Sequence, residues 1–313
     1  MSYLPWNWFI EYTGYSQAHI YGVRQSVYSG RSPYQAIDIL DTEFFGRCLV
    51  LDGKMQSAEA DEYIYHEALI HPAMTFHPEP KDVLIIGGAE GAALREIIKH
   101  PSVGRLMMID IDKQVIEICH QYLPEWSNNV FKDPRVEILF RDARKYLEDN
   151  MKKWDIILID LTEPLNDGPS YLLFTEEFYS TVFNRLKNGG IIALQAGNLN
   201  PMLLKCHGAI KNTLELIFNK VESYGAFIPS YNTVWGFIFA SQEINALNYT
   251  PEIVDYRLEE ELKISDLRFY DGRTHLHMFT LPKNTRRLLS EEKRIIKDDN
   301  PLFTQRGENR ETM

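Results

Sequence analysis

The sequence predicts an α/β fold: a parallel sheet of five strands closed by an antiparallel C-terminal hairpin, with a small antiparallel β domain at the N-terminus. Three observations predict it. Apolar runs at 83–86, 106–109, Val136–Phe140, 156–159 and 191–194 alternate with helical stretches at 92–99, 115–122, 143–151 and 175–186. Continuous apolar strands joined by helices form a parallel sheet covered on both faces. A helix at 201–218 then precedes two strand-like runs, 221–228 and 234–240, which read as the hairpin. Before residue 70 the strand signals are short and come in adjacent pairs, as in an antiparallel unit.

In order, Tyr34-Gln-Ala-Ile-Asp-Ile-Leu40 alternates in part and Gly46-Arg-Cys-Leu-Val-Leu51 is a second run. Asp52-Gly53 is a hairpin turn between that run and Lys54-Met-Gln-Ser57. The aromatics Trp6, Trp8, Phe9, Tyr12 and Tyr15 read as core or subunit contact rather than ligand site. Glu62–Phe76 is helical and His77-Pro-Glu-Pro-Lys81 is a linker, so the expected division is 1–76 and 77–313. Five parallel strands plus a terminal antiparallel pair is a Rossmann-like arrangement used by nucleoside-binding transferases. The tail from Lys297 onward is polar and expected to be ordered only by contacts.

Of the 313 residues, 33 are Lys or Arg and 44 Asp or Glu, for a net charge of −11. An acidic surface repels phosphate backbones and anionic lipid, which argues against nucleic-acid and membrane partners. Cys48, Cys119 and Cys206 are dispersed, without metal-ligand spacing, as in a reducing compartment. With no signal-peptide pattern and no apolar run near 18 residues, the expected location is cytoplasmic.

The chemistry concentrates at the ends of the predicted strands. Gly87-Gly88-Ala89-Glu90-Gly91 follows a strand and opens a helix, the context of a nucleotide-binding turn. Ala89 and Ala92 occupy the second and third glycine positions of the dinucleotide fingerprint, and Glu90 would repel a pyrophosphate. The turn therefore favours a cationic or phosphate-free nucleoside over NAD. Asp110 lies twenty residues beyond Glu90, where a carboxylate accepts ribose hydroxyls. Asp142, beside Ala143, suits an adenine amino group or a helix cap equally. Asp160 and Glu163 sit three apart at the fourth strand's end and suit an amine substrate, with Leu165-Asn-Asp-Gly-Pro-Ser-Tyr171 as a lid.

The ordered set Tyr34-Gln35, Leu51-Asp-Gly-Lys-Met-Gln-Ser57, Asp61-Glu-Tyr-Ile-Tyr-His-Glu67, the glycine turn, Asp110, Asp142-Ala143, Asp160-Leu-Thr-Glu-Pro164 and Gln195-Ala-Gly197 resembles the polyamine aminopropyltransferase (spermidine synthase) family. The match runs from about residue 30 to 240 and resumes at Phe269-Tyr-Asp-Gly and Leu281-Pro-Lys283.

The resemblance implies a methyltransferase-type Rossmann-like sheet and an aminopropyl transfer. The co-substrate would be decarboxylated S-adenosylmethionine, with no other cofactor and no metal. The acceptor would be a primary amine of putrescine, agmatine, spermidine or norspermidine, and methylthioadenosine would be released. By the same resemblance Gln35, Glu90, Asp110 and Asp142 hold the nucleoside, beside Gly87, Gly88 and Ala143, and Asp160 is the base. Gln56, Tyr65, His66, Glu163, Gln195 and Tyr231 line the amine channel, and the assembly is a homodimer or homotetramer. Gly-Gly-Ala-Glu-Gly departs from the usual Gly-Gly-Gly-Asp-Gly of spermidine synthases, and Glu163 from their Asp, while Asp167-Gly-Pro-Ser-Tyr-Leu-Leu-Phe174, Gln195-Ala-Gly197 and Pro229-Ser-Tyr231 with Thr233-Val-Trp-Gly236 look closer to thermospermine synthases and to bacterial agmatine or triamine aminopropyltransferases. The alternatives are an S-adenosylmethionine-dependent methyltransferase and a non-catalytic polyamine-binding protein.

Overall fold

The computed structural model describes residues 7–14, 17–164, 168 and 170–304. The first sheet is an antiparallel meander of β1 (Asn7–Gly14), β2 (Gln17–Arg31), β3 (Ala36–Thr42), β4 (Gly46–Leu51) and β5 (Lys54–Ala58), paired in that order. Asp52 and Gly53 both adopt positive φ, 49° and 75°, as a two-residue turn between twisted strands requires. The sequence reading found the last three strands and no pairing for the first two. In β1 and β2, Phe9, Glu11 and Tyr21 face inward, while Trp8, Ile10, Tyr12 and Ile20 are exposed. Trp6 and Tyr15 lie outside the described residues.

The second sheet holds β6 (Asp82–Gly87), β7 (Arg105–Asp110), β8 (Val136–Phe140), β9 (Trp154–Asp160), β10 (Leu186–Asn198), β11 (Lys220–Ile228) and β12 (Thr233–Ser241). Their order is β11-β12-β10-β9-β6-β7-β8. The five strands β6 to β10 are parallel, and β12 runs antiparallel to both β10 and β11, as the closing hairpin requires. All five parallel strands contain the apolar runs that predicted them.

Helices α1 (Glu62–Phe76), α2 (Ala92–Ile97), α3 (Lys113–Tyr122), α4 (Pro124–Ser127), α5 (Ala143–Asp149), α6 (Glu176–Asn184) and α7 (Lys205–Glu215) cover the sheet and join its strands. α7 begins four residues later than its sequence pattern, because Asn198 and Asn200 turn their side chains onto the backbone N–H groups of Asn200 and Met202. Three further helices, α8 (Pro251–Tyr256), α9 (Gly272–Phe279) and α10 (Lys283–Glu291), follow the hairpin.

α1 is buried along nearly its whole length. Its Leu69, Ala73 and Met74 share one core with Ile37, Ile39 and Leu49 of the first sheet and Val83, Ile85 and Leu158 of the second. A helix covered on all sides carries little amphipathic contrast. Its place between the sheets sets Tyr65 over the end of β9.

The strand order reverses between β6 and β9, the switch point where open α/β sheets take ligands. There Gly87 pairs directly with Asp160. Among the described residues no helix is long and apolar enough to cross a membrane.

Candidate active site

A cavity of about 810 Å³ opens at this switch point, between the C-terminal ends of β6, β7 and β9 and the inner face of the β1–β2 hairpin. Gly87 lies at φ +84°, and a Cβ there would fall 2.1 Å from the Asp160 carbonyl oxygen. The next amide, Gly88 N–H, donates to that same oxygen at 3.1 Å. The glycine turn is therefore packed against the backbone that carries Asp160. It places Glu90 and Asp160 in the wall of the same cavity.

Tyr65 donates its hydroxyl to Asp160 Oδ1 at 2.6 Å. Burial, reinforced by the Glu90 charge and opposed by His66 and the Tyr65 hydrogen bond, lifts the Asp160 pKa to about 6. Such a carboxylate is ionised at neutral pH yet basic enough to receive a proton.

His66 departs from the expected channel lining. It is fully buried and does not reach the cavity wall. Successive helical residues point about 100° apart, so Tyr65 faces the cavity and His66 turns behind Glu90. Its Nε2 lies 3.3 Å from Glu90 Oε1 and its Nδ1 2.9 Å from Glu62 Oε2. Burial alone would discharge the ring, but the two carboxylates outweigh it and raise its pKa to about 10. Arg95 pairs with both Glu62 oxygens, at 3.1 and 2.9 Å. The sequence reading gave neither Glu62 nor Arg95 a role in the site. The signal available was the Glu62/His66 spacing of four on one helix.

At the other end of the cavity, Asp110 accepts the Asp112 amide at 2.8 Å and is half-buried. Burial raises its pKa to about 7. Asp112 Oδ2 accepts Gln35 Nε2 at 2.9 Å and Ser32 Oγ at 2.5 Å, while Oδ1 caps α3. Gln35 is thus aimed by Asp112, a residue the sequence reading passed over. Asp142 caps α5, its Oδ1 accepting the Lys145 N–H at 3.0 Å, and the residue lines the cavity beside Ala143.

Glu163, Gln56, Gln195 and Tyr231 line the side nearer the N-terminal hairpin. Burial raises the Glu163 pKa, and Lys54 opposes the rise. Gln195 has both ends engaged: Nε2 donates to Leu161 O at 2.6 Å and Oε1 accepts Gly197 N at 3.0 Å. It therefore fixes the chain between Asp160 and Glu163. The Tyr231 hydroxyl donates to the Gln56 carbonyl. Glu11, His19 and Lys54 also line this wall, and the sequence reading gave none of them a site role. Burial lifts Glu11 to about 7, against the pull of Lys54. Of the expected lid, residues 165–167 and 169 lie outside the described residues, and Ser170 Oγ donates to Thr162 O at 3.1 Å.

Two family domains match this chain: a spermine/spermidine synthase domain over residues 62–250 and a spermidine synthase tetramerisation domain over 7–59. The polyamine aminopropyltransferase of Aeropyrum pernix is 39% identical over 96% of each chain. Polyamine aminopropyltransferase 2 of Pseudomonas aeruginosa is 40% identical, over 91% of this chain and 81% of its own. A crystal structure of spermidine synthase in complex with the transition-state analogue AdoDATO superposes with a TM-score of 0.85 at 32% identity, covering 93% of this chain and 98% of that one. Spermidine synthase from Thermotoga maritima gives 0.82 at 32% identity, over 91% and 94%. The chain belongs to the spermine/spermidine synthase family and is an aminopropyltransferase.

Proposed function

We propose that the enzyme transfers the aminopropyl group of decarboxylated S-adenosylmethionine to a primary amine of a polyamine or its precursor and releases methylthioadenosine. The observation that carries this reading is the Tyr65–Asp160 hydrogen bond, in a cavity that also holds Glu90, Asp110 and Glu163. Its ends differ in chemistry. Asp110, Gln35 and Asp142 suit a ribose and an adenine. Glu163 and Glu11 suit a second cationic nitrogen on the acceptor.

Attack on the carbon next to a sulfonium requires a neutral amine. With an amine pKa near 10.4, freeing one at pH 7 costs about 4–5 kcal/mol. Asp160 accepts that proton and Tyr65 orients the nitrogen. Alignment of nitrogen, carbon and sulfur lowers the rest of the barrier. The sulfonium leaves as a neutral thioether, so the leaving group needs no proton.

Incubation with decarboxylated S-adenosylmethionine and putrescine, agmatine, spermidine or norspermidine tests the reading. Methylthioadenosine and an amine longer by one aminopropyl unit are expected from at least one acceptor. No product from any of them refutes it.

Two further outcomes are expected. Asp160 must be ionised to act as base, so kcat/KM should fall as pH drops through about 6, its pKa in the free protein. A profile flat from pH 5 to 8 would remove Asp160 from that role. Glu11→Gln should raise the acceptor KM by about tenfold, one charge-assisted contact, and leave kcat within a few-fold. An unchanged acceptor KM would place the second nitrogen elsewhere.

The exposed stripe of Trp8, Ile10, Tyr12 and Ile20 on the matched tetramerisation domain supports a homo-oligomer, a tetramer in this reading.

A further inference from the structure

The polar tail after α10 is not a loose end. Residues 292–304 run past α7 and the start of α6 and reach the cavity. Ile296 is fully buried; its N–H donates to Thr213 Oγ1 at 3.0 Å and its carbonyl accepts Glu176 N at 2.8 Å. The Asp298 carboxylate takes both Arg144 nitrogens, at 2.8 and 2.6 Å, and accepts Thr175 Oγ1 at 2.7 Å. Leu302 is buried in the core that holds Ile86, Ile159 and Leu194, and the Phe303 ring lies 5.5 Å from that of Tyr171. Thr304 donates its N–H and hydroxyl to Pro164 O, at 2.7 and 3.1 Å. Leu302, Phe303 and Thr304 all line the cavity, as do Arg144 and Tyr171.

Arg144 is the joint. It follows Asp142-Ala143 at the start of α5, and its Nη1 also donates to Leu172 O at 3.4 Å. A bidentate guanidinium–carboxylate pair fixes direction as well as distance. Half-buried, as Arg144 is, it holds better than a pair in open water.

We propose that residues 292–304 form a functional wall of the nucleoside end of the cavity. Asp298 is its positioning residue: it fixes Arg144, and with it the Asp142-Ala143 corner. Phe303 joins Tyr171 in an aromatic surface for the purine. This rests on the nucleoside reading above and extends it to a segment beyond both matched domains.

The test is methylthioadenosine binding by calorimetry, with donor and acceptor KM, for wild type, Asp298→Asn, Asp298→Glu and a chain ending at Leu302. Ending there spares the buried Leu302 and removes the Tyr171 and Pro164 contacts. Asp298→Asn and the shortened chain should each weaken methylthioadenosine binding by about tenfold. They should raise the donor KM alike while leaving the acceptor KM unchanged, and Asp298→Glu should recover part of the loss. Unchanged methylthioadenosine affinity in both variants overturns the proposal, as does an equal rise in donor and acceptor KM, the mark of general loosening. Failure of the wild type itself to bind methylthioadenosine refutes instead the nucleoside reading beneath it.

Discussion

Asp160→Asn is expected to lower kcat by roughly a thousandfold, the middle of the range for a general base, while methylthioadenosine binds within about threefold of wild type. The amide keeps the shape and still accepts the Tyr65 hydroxyl through its oxygen. It cannot take a proton from an ammonium, so the full cost of freeing the amine returns to the barrier. The break in kcat/KM near pH 6 should vanish with it, since that break belongs to the Asp160 carboxyl. Steady-state kinetics from pH 5 to 9 provide the check. A variant retaining a tenth of wild-type kcat would show that solvent or another carboxylate receives the proton.

Gly87→Ala is expected to reduce kcat/KM at least a hundredfold, the scale on which misplacing a catalytic group by about 1 Å is felt. Two costs combine. At φ +84° a side chain meets the left-handed penalty of roughly 1 kcal/mol. The new methyl would also lie 2.1 Å from the Asp160 carbonyl oxygen, a backbone atom that yields only by moving the base itself. Gly53→Ala separates the two effects. Gly53 has φ +75°, but a Cβ there meets nothing within 4 Å. That variant should lose only the backbone penalty in stability and keep its catalytic constants within about twofold. Equal catalytic loss in both variants would mean that the glycine turn acts through stability rather than through Asp160.

Why the strand-end carboxylates were legible is now clear. Asp110 and Asp160 each terminate an apolar run, so the sequence marks both the strand and the edge at which it stops. Once those strands both run parallel to β6, which lies between them, their ends must share one edge of the sheet. Glu11 had no such marker. Its strand carries Trp8, Ile10 and Tyr12 on the opposite, exposed face, so apolar residues fall on both sides and the alternation that would expose an inward carboxylate is lost. His66 was placed in the channel by resemblance, and one step of helical rotation moved it behind Glu90. Gln35 was found, but not Asp112 that holds it, because the pair joins residues 77 positions apart. The tail was expected to be ordered only by contacts, and its partner was hidden for the same reason: Asp298 meets Arg144 across 154 residues, a distance no local pattern reports.

The carboxylates of this cavity, Glu90 first among them, are expected to select a donor with an ammonium and no carboxylate of its own. Two like charges about 4 Å apart near a protein surface repel by up to about 4 kcal/mol, and His66 beside Glu90 offsets part of that. The direct measurement is the ratio of dissociation constants for S-adenosylmethionine and its decarboxylated form, on wild type and on Glu90→Gln. The wild type should favour the decarboxylated donor by roughly a hundredfold or more, and Glu90→Gln should shrink that preference about tenfold. Equal affinity of the wild type for both donors, or a preference indifferent to Glu90→Gln, would contradict the account.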